Sequence, residues 1–135
     1  MAARIFTVSE ANELLEDLRP VAQEMVERRR ALAEAAESRA QLAGRIAGNG
    51  GGLQPQDLID VHEAIEREAT AVARLVETIQ SHGVLVKDLD RGLLDFPARR
   101  GDEDVLLCWC VGEDEIGYWH GTEEGFAGRK PLPLD

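Results

Sequence analysis

Aromatic residues are scarce and unevenly placed. They make up 4% of the 135-residue chain, and all but Phe6 lie after residue 95. The first two thirds must therefore pack on aliphatic side chains. Long apolar runs are missing as well. No stretch approaches the ~20 consecutive apolar residues that a membrane-spanning helix needs. The start, Met1-Ala2-Ala3-Arg4-Ile5-Phe6, has no apolar segment leading to a small-residue cleavage site. Positive charge is in deficit, with 15 basic against 26 acidic residues and a formal net charge of −11. That balance argues against duplex nucleic acid and against an anionic membrane surface, since both need a basic footprint. Only two cysteines occur, Cys108 and Cys110. At that spacing on one strand they cannot close a relaxed disulfide, so free thiols in a reducing, cytoplasmic interior are expected.

What is present is helical periodicity followed by a change of period. Phe6-Thr7-Val8-Ser9-Glu10 has the form of a capping box, with Thr7 and Glu10 satisfying each other's backbone donors and Phe6 stapling onto Ala11. Leu14, Leu15, Leu18, Val21, Ala22, Met25, Leu32, Ala36, Ala43 and Ile46 then recur at helical spacing. Pro20 lies inside the pattern, which predicts a kink or a break near Arg19. The one basic run, Arg28-Arg29-Arg30, is flanked by Glu24, Glu27 and Glu34, the spacing of ion pairs on a solvated helix face.

Gly48-Asn49-Gly50-Gly51-Gly52 closes this first arm as a turn; without the lysine and hydroxyl of a P-loop, it is not a phosphate cradle. A second helix opens near Pro55 and repeats Leu58, Ile65, Val72 and Ile79 every seven residues, a coiled-coil-like seam that Gly83 ends at the C′ position. Strands are expected from Val84, Leu93, Val105 and Ile116. The run Val105–Val111 is apolar on both faces, hence central. A four-residue loop at 112–115 would set Val111 opposite Ile116, Trp109 opposite Tyr118 and Leu107 opposite His120, with Cys108 and Trp119 sharing the other face.

The expected fold is one α+β domain: a long antiparallel helical hairpin (arms 7–47 and 54–82), an antiparallel meander of about four strands (84–120) and a C-terminal loop (121–135). Three glycines around Phe126 suggest that the loop is ordered and tucks this ring into a pocket.

Polar residues gather in the sheet region. Candidate ligand-binding residues are Asp88, Asp90, Arg91, Asp95, Trp119, His120 and Arg129, and candidate metal ligands are Asp88, His120 and Glu123. Carboxylates with an imidazole suit a divalent cation or proton transfer, and an arginine could hold an anion. The plainer alternative makes Asp88-Leu89-Asp90-Arg91-Gly92 a turn, and makes His120 a histidine satisfied by an Asp or by backbone. His62 and Glu66 share a helix face, but they lack a matching pair on the first helix and fit a boundary position. Cys108 and Cys110 lie too close together for a zinc half-site and read as packed thiols.

Several stretches together resemble the bacterial domain of unknown function family 2203. They are Phe6-Thr7-Val8 with Glu10-Ala11-Asn12 and Leu14-Leu15, Val86–Leu93 with Asp95-Phe96-Pro97, Leu107-Cys108-Trp109 with Gly112-Glu113, and Ile116–His120 with Gly125–Arg129. The resemblance spans the chain and implies a small cytoplasmic bacterial or archaeal protein; it brings no activity with it. The function expected from the residues is a cytoplasmic interaction or scaffold domain that self-associates through its hairpin as a homodimer. The alternative is a metal- or small-ligand-binding protein, or an enzyme, with a carboxylate/histidine site in the C-terminal sheet.

Overall fold

The computed structural model describes residues 4–48 and 54–134. Helix α1 (Val8–Ala47) and helix α2 (Pro55–Gln80) form a hairpin. They are followed by strands β1 (Leu85–Asp88), β2 (Leu93–Arg100), β3 (Glu103–Cys110), β4 (Tyr118–Gly121) and β5 (Lys130–Pro131). The strands make one antiparallel sheet in the order β1-β2-β3-β4-β5. The turn expected at residues 49–52 lies outside the described residues.

The start of α1 follows from local chemistry. Thr7 Oγ1 accepts from the Glu10 amide at 3.1 Å, and Glu10 accepts from the Thr7 amide at 2.9 Å. These bonds hold the Glu10 carboxyl below its ordinary range. Phe6 turns inward, its ring edge-on to Phe96 at 5.5 Å, in the cluster that holds Ala11. Of the two outcomes expected at Pro20, a break does not occur: α1 runs through it unbroken. Leu18, Ala22 and Met25 are buried on either side, so tertiary packing carries the turn that lost a backbone hydrogen bond. Gly83, expected at C′, lies one residue farther on, because Ser81 is the C-cap of α2. Its φ of +85° turns the chain toward the sheet.

Alternation divides the sheet into two faces. Leu94, Phe96, Ala98, Val105, Leu107, Trp109 and Trp119 pack with Leu15, Leu18, Met25 and Ile79 of the helices in one core. Their neighbours Leu93, Asp95, Leu106, Cys108 and His120 are buried on the other face. β3 is therefore covered on both sides.

Two features of the sheet also depart from the sequence expectation. The C-terminal loop contributes a fifth strand, β5, paired to β4 through Trp119 and Lys130. The β3–β4 register is also shifted by one residue, with Cys108 opposite Tyr118, Leu107 opposite Trp119 and Leu106 opposite His120. The connection is not a tight four-residue hairpin. The Glu113 amide turns back to the Cys110 carbonyl, Trp109 Nε1 donates to the Glu113 carbonyl, and the Ile116 amide donates 2.8 Å to Asn12 Oδ1 on α1. A one-residue slip exchanges faces, so His120 shares a face with Cys108 while Trp119 looks toward the helices.

Candidate functional site

The second face of the sheet is where the fold assembles polar chemistry. Asp95 on β2 sits directly opposite Cys108 on β3, and Cys108 opposite Tyr118 on β4. His120, two residues beyond Tyr118, points the same way. Exposure is 1% for Asp95, 0% for Cys108 and 2% for His120. A carboxyl oxygen, the sulfur and a ring nitrogen of these three lie within 4.8 Å of one another. No other group of three or more potential metal ligands this close occurs among the described residues.

The imidazole is held at both ends. Nδ1 lies 2.8 Å from the carbonyl oxygen of Gly121, and Nε2 lies 3.1 Å from Asp95 Oδ1. A carbonyl oxygen only accepts, so the Nδ1 proton is donated to Gly121, and this contact selects the tautomer. In the neutral ring Nε2 then presents a lone pair toward a carboxylate. Two acceptors at 3.1 Å call for a positive charge between them, either a proton or a metal ion.

Gly121 is fixed in turn. Its amide donates 2.7 Å to Glu124 Oε1, and the Glu124 amide donates back to its carbonyl at 3.0 Å. Lys130 Nζ donates 2.6 Å to the same carboxylate, and this bond, with the Gly121 amide, lowers the Glu124 carboxyl. Gly128 lets the turn close, since a Cβ there would stand 2.8 Å from Glu124 Cβ.

Cys108 stays a thiol in this setting. Burial pushes it up to about 12, and the negative Asp95 adds to the shift. A raised thiol is a poor nucleophile, which argues against covalent catalysis by Cys108 alone.

Beside the triad lies an arginine–aromatic stack. The Arg129 guanidinium rests 4.1 Å from the Tyr118 ring and 4.7 Å from Phe126, and Arg91 lies 4.8 Å from Phe126. Arg129 Nη2 donates to Glu113 Oε1 at 2.7 Å and to the Cys108 carbonyl at 3.2 Å. Glu113 Oε1 also accepts from the Cys110 amide at 2.8 Å. Burial works to raise the Glu113 carboxyl, but the Arg129 and Cys110 donors outweigh it and hold it low. Burial likewise disfavours the Arg129 charge, and Glu113 more than offsets that.

The candidates named from sequence thus fall into separate places. Asp95 and His120 meet. Arg129 lies beside them but is occupied by Glu113 and two rings. Asp88, on β1, accepts from the Asp90 and Arg91 amides at 2.8 and 3.2 Å, the geometry of an Asp turn. Two strands separate it from His120, roughly 14 Å at ~4.8 Å per neighbouring strand. Asp90 pairs with Arg29 of α1 at 3.3 Å, Trp119 belongs to the helix-side core, and Glu123 is exposed. Cys108 is the member sequence reasoning missed. In the register expected from the sequence, with Leu107 opposite His120, Cys108 would lie on the other face.

The hairpin offers a second surface. On α1 no described residue beyond Met25 is buried, and on α2 none before Glu68. Arg28 bridges the arms at this boundary, 3.2 Å from the buried Glu68 and 3.5 Å from Glu24. Beyond it the arms run on as two helices alone, with Leu32, Leu42, Val61 and Ile65 half-buried along the seam. Ile46, Leu58 and Ile59 are exposed at 54%, 40% and 47%. His62 and Glu66 form an exposed pair at 3.4 Å on this stretch. No helix is long and apolar enough to cross a membrane among the described residues.

A family model described as "Uncharacterized conserved protein (DUF2203)" matches residues 4–132. Neither a curated protein nor a solved structure matches the chain.

Proposed function

The chain belongs to the DUF2203 family, and from its hairpin we propose that it is a small interaction domain that self-associates as a homodimer. One observation carries this reading: the outer half of the hairpin has no buried residue among those described, yet exposes Ile46, Leu58 and Ile59. From Arg28 to Ala47, α1 projects roughly 30 Å at 1.5 Å per residue. Two helices alone bury one stripe each. A second hairpin laid against the first would make a four-helix arrangement in which these side chains are covered. Burial is worth about 1.5–3 kcal/mol for each side chain fully withdrawn from water.

A second copy is the simplest occupant, because in isologous pairing the same apolar patch serves both partners and every contact is made twice across the two-fold axis. Arg45 lines one groove with Asp57 and Asp60, and Arg39 lines another with Glu63, so the same surface carries both signs of charge for a partner hairpin to match. A cytoplasmic location accompanies this reading, since the free thiols Cys108 and Cys110 suit a reducing compartment.

Sedimentation velocity at micromolar concentration tests it. The wild type should run as a dimer, and the double variant Ile46→Glu/Ile59→Glu as a monomer with unchanged helical circular dichroism. A wild type that stays monomeric as concentration rises would overturn the proposal.

A further inference from the structure

We infer that Asp95, Cys108 and His120 form a binding site for one zinc-class divalent cation, with Asp95 Oδ1, Cys108 Sγ and His120 Nε2 as the protein ligands. The inference is independent of the hairpin and concerns the opposite end of the molecule.

Four observations converge on it. The first is the donor set: one carboxylate oxygen, one sulfur and one imidazole nitrogen, from three adjacent strands, all within 4.8 Å. Mixed O, S and N donors are typical zinc ligands, and the sulfur disfavours magnesium and calcium. The second is orientation. The Gly121 carbonyl takes the Nδ1 proton at 2.8 Å, leaving the Nε2 lone pair aimed into the cluster. A metal-ligating histidine is normally held by this kind of outer contact.

The third observation is size. With zinc bond lengths of ~2.0 Å to oxygen, ~2.05 Å to nitrogen and ~2.3 Å to sulfur, tetrahedral ligand atoms lie about 3.3–3.6 Å apart. The 3.1 Å between Nε2 and Oδ1 is close to that edge, and the widest pair needs only a small side-chain adjustment. The fourth is charge. All three side chains are almost wholly withdrawn from water. A dication that displaces the Cys108 proton to solvent is left with one carboxylate, one thiolate and a neutral imidazole, a sum of zero, the balance a dry site needs. Three protein ligands leave one position on the ion for water or a small ligand.

Cobalt(II) is the probe, because a thiolate bound to it gives a near-ultraviolet charge-transfer band and a tetrahedral site gives strong visible bands. Full-length protein stripped with chelator and titrated with Co²⁺ under reducing conditions should develop both bands with one equivalent. One equivalent of Zn²⁺ should then remove them. Cys108→Ser should abolish the charge-transfer band, whereas Cys110→Ser should keep it. Asp95→Asn should weaken Co²⁺ binding at least about tenfold, the scale at which altered metal shells are felt.

The wild-type spectrum decides the matter even where a buried variant fails to fold. Absence of the charge-transfer band in wild type, or its survival in folded Cys108→Ser, would overturn the assignment. Dimerisation is read separately by sedimentation, so failure of one proposal leaves the other standing.

Discussion

The Nε2 atom of His120 lies 3.1 Å from Asp95 Oδ1, in a part of the sheet where both side chains are almost fully withdrawn from water. Removing either partner strands the other. Asp95→Ala should therefore destabilise the metal-free protein by about 2–3 kcal/mol, the scale for leaving a buried polar group without its partner. Asp95→Asn should lose less than half of that, because its amide can donate to Nε2. Urea denaturation with chelator present measures both. Equal losses for Ala and Asn would mean that the contact contributes little.

Gly92 is required for two reasons at once. Its φ is +67°, and a Cβ would stand 2.4 Å from Val111 Cγ2 and 2.8 Å from Val26 Cγ2. Gly92→Ala should cost about 2–4 kcal/mol from backbone strain together with overpacking. Adding Val111→Ala should recover part of it, since that removes the closest obstacle but not the strained backbone. Chemical denaturation of the single and double variants tests the split; complete recovery would assign the whole cost to packing.

Glu113 should couple stability to pH. Its folded carboxyl is held below the ordinary 4.5 by Arg129 and Cys110 against the effect of burial. A depressed folded value means that the stabilisation is fully present above the unfolded value and is lost as pH falls through the folded one. Wild type should thus exceed Glu113→Gln in denaturation midpoint near neutrality. The two should converge as the solution is acidified below pH ~4.5. A gap that persists in acid would trace the difference to shape and hydrogen bonding rather than to charge.

Pro20 sits exposed inside an unbroken helix. Pro20→Ala should restore the missing backbone donor and stabilise the protein by about 1–3 kcal/mol, given the cost of proline in helix interiors. Thermal or urea unfolding measures this. No gain would indicate that α1 is bent at this point in a way that alanine does not relieve.

Much of the fold was legible because it rests on short-range chemistry. Thr7 and Glu10 are three residues apart, and the cap they form is local. The helical stripes and the two-sided apolar run of β3 are periodicities of a single segment. The β3–β4 register was not legible, because it depends on Asn12 seizing the Ile116 amide and on Trp109 reaching the Glu113 carbonyl. Neither contact has a signature in the strands themselves. From that one-residue difference follows the composition of the buried triad: Cys108 joins Asp95 and His120 only in the observed register. The basic run shows the same limit. Spacing within the helix anticipates Arg28–Glu24, but Arg28 also reaches Glu68 and Arg29 reaches Asp90, which are distant in sequence.

The bond from the Ile116 amide to Asn12 also bears on how the protein is made. During synthesis α1 leaves the ribosome before the sheet, with Leu15, Leu18 and Met25 facing nothing but α2 until β2, β3 and β4 are complete. The core cannot close until β4 has emerged, so folding waits on residues more than seventy positions after α1. Nascent chains halted before Trp119 would carry that apolar stripe unprotected, and they are the species that a chaperone would recognise.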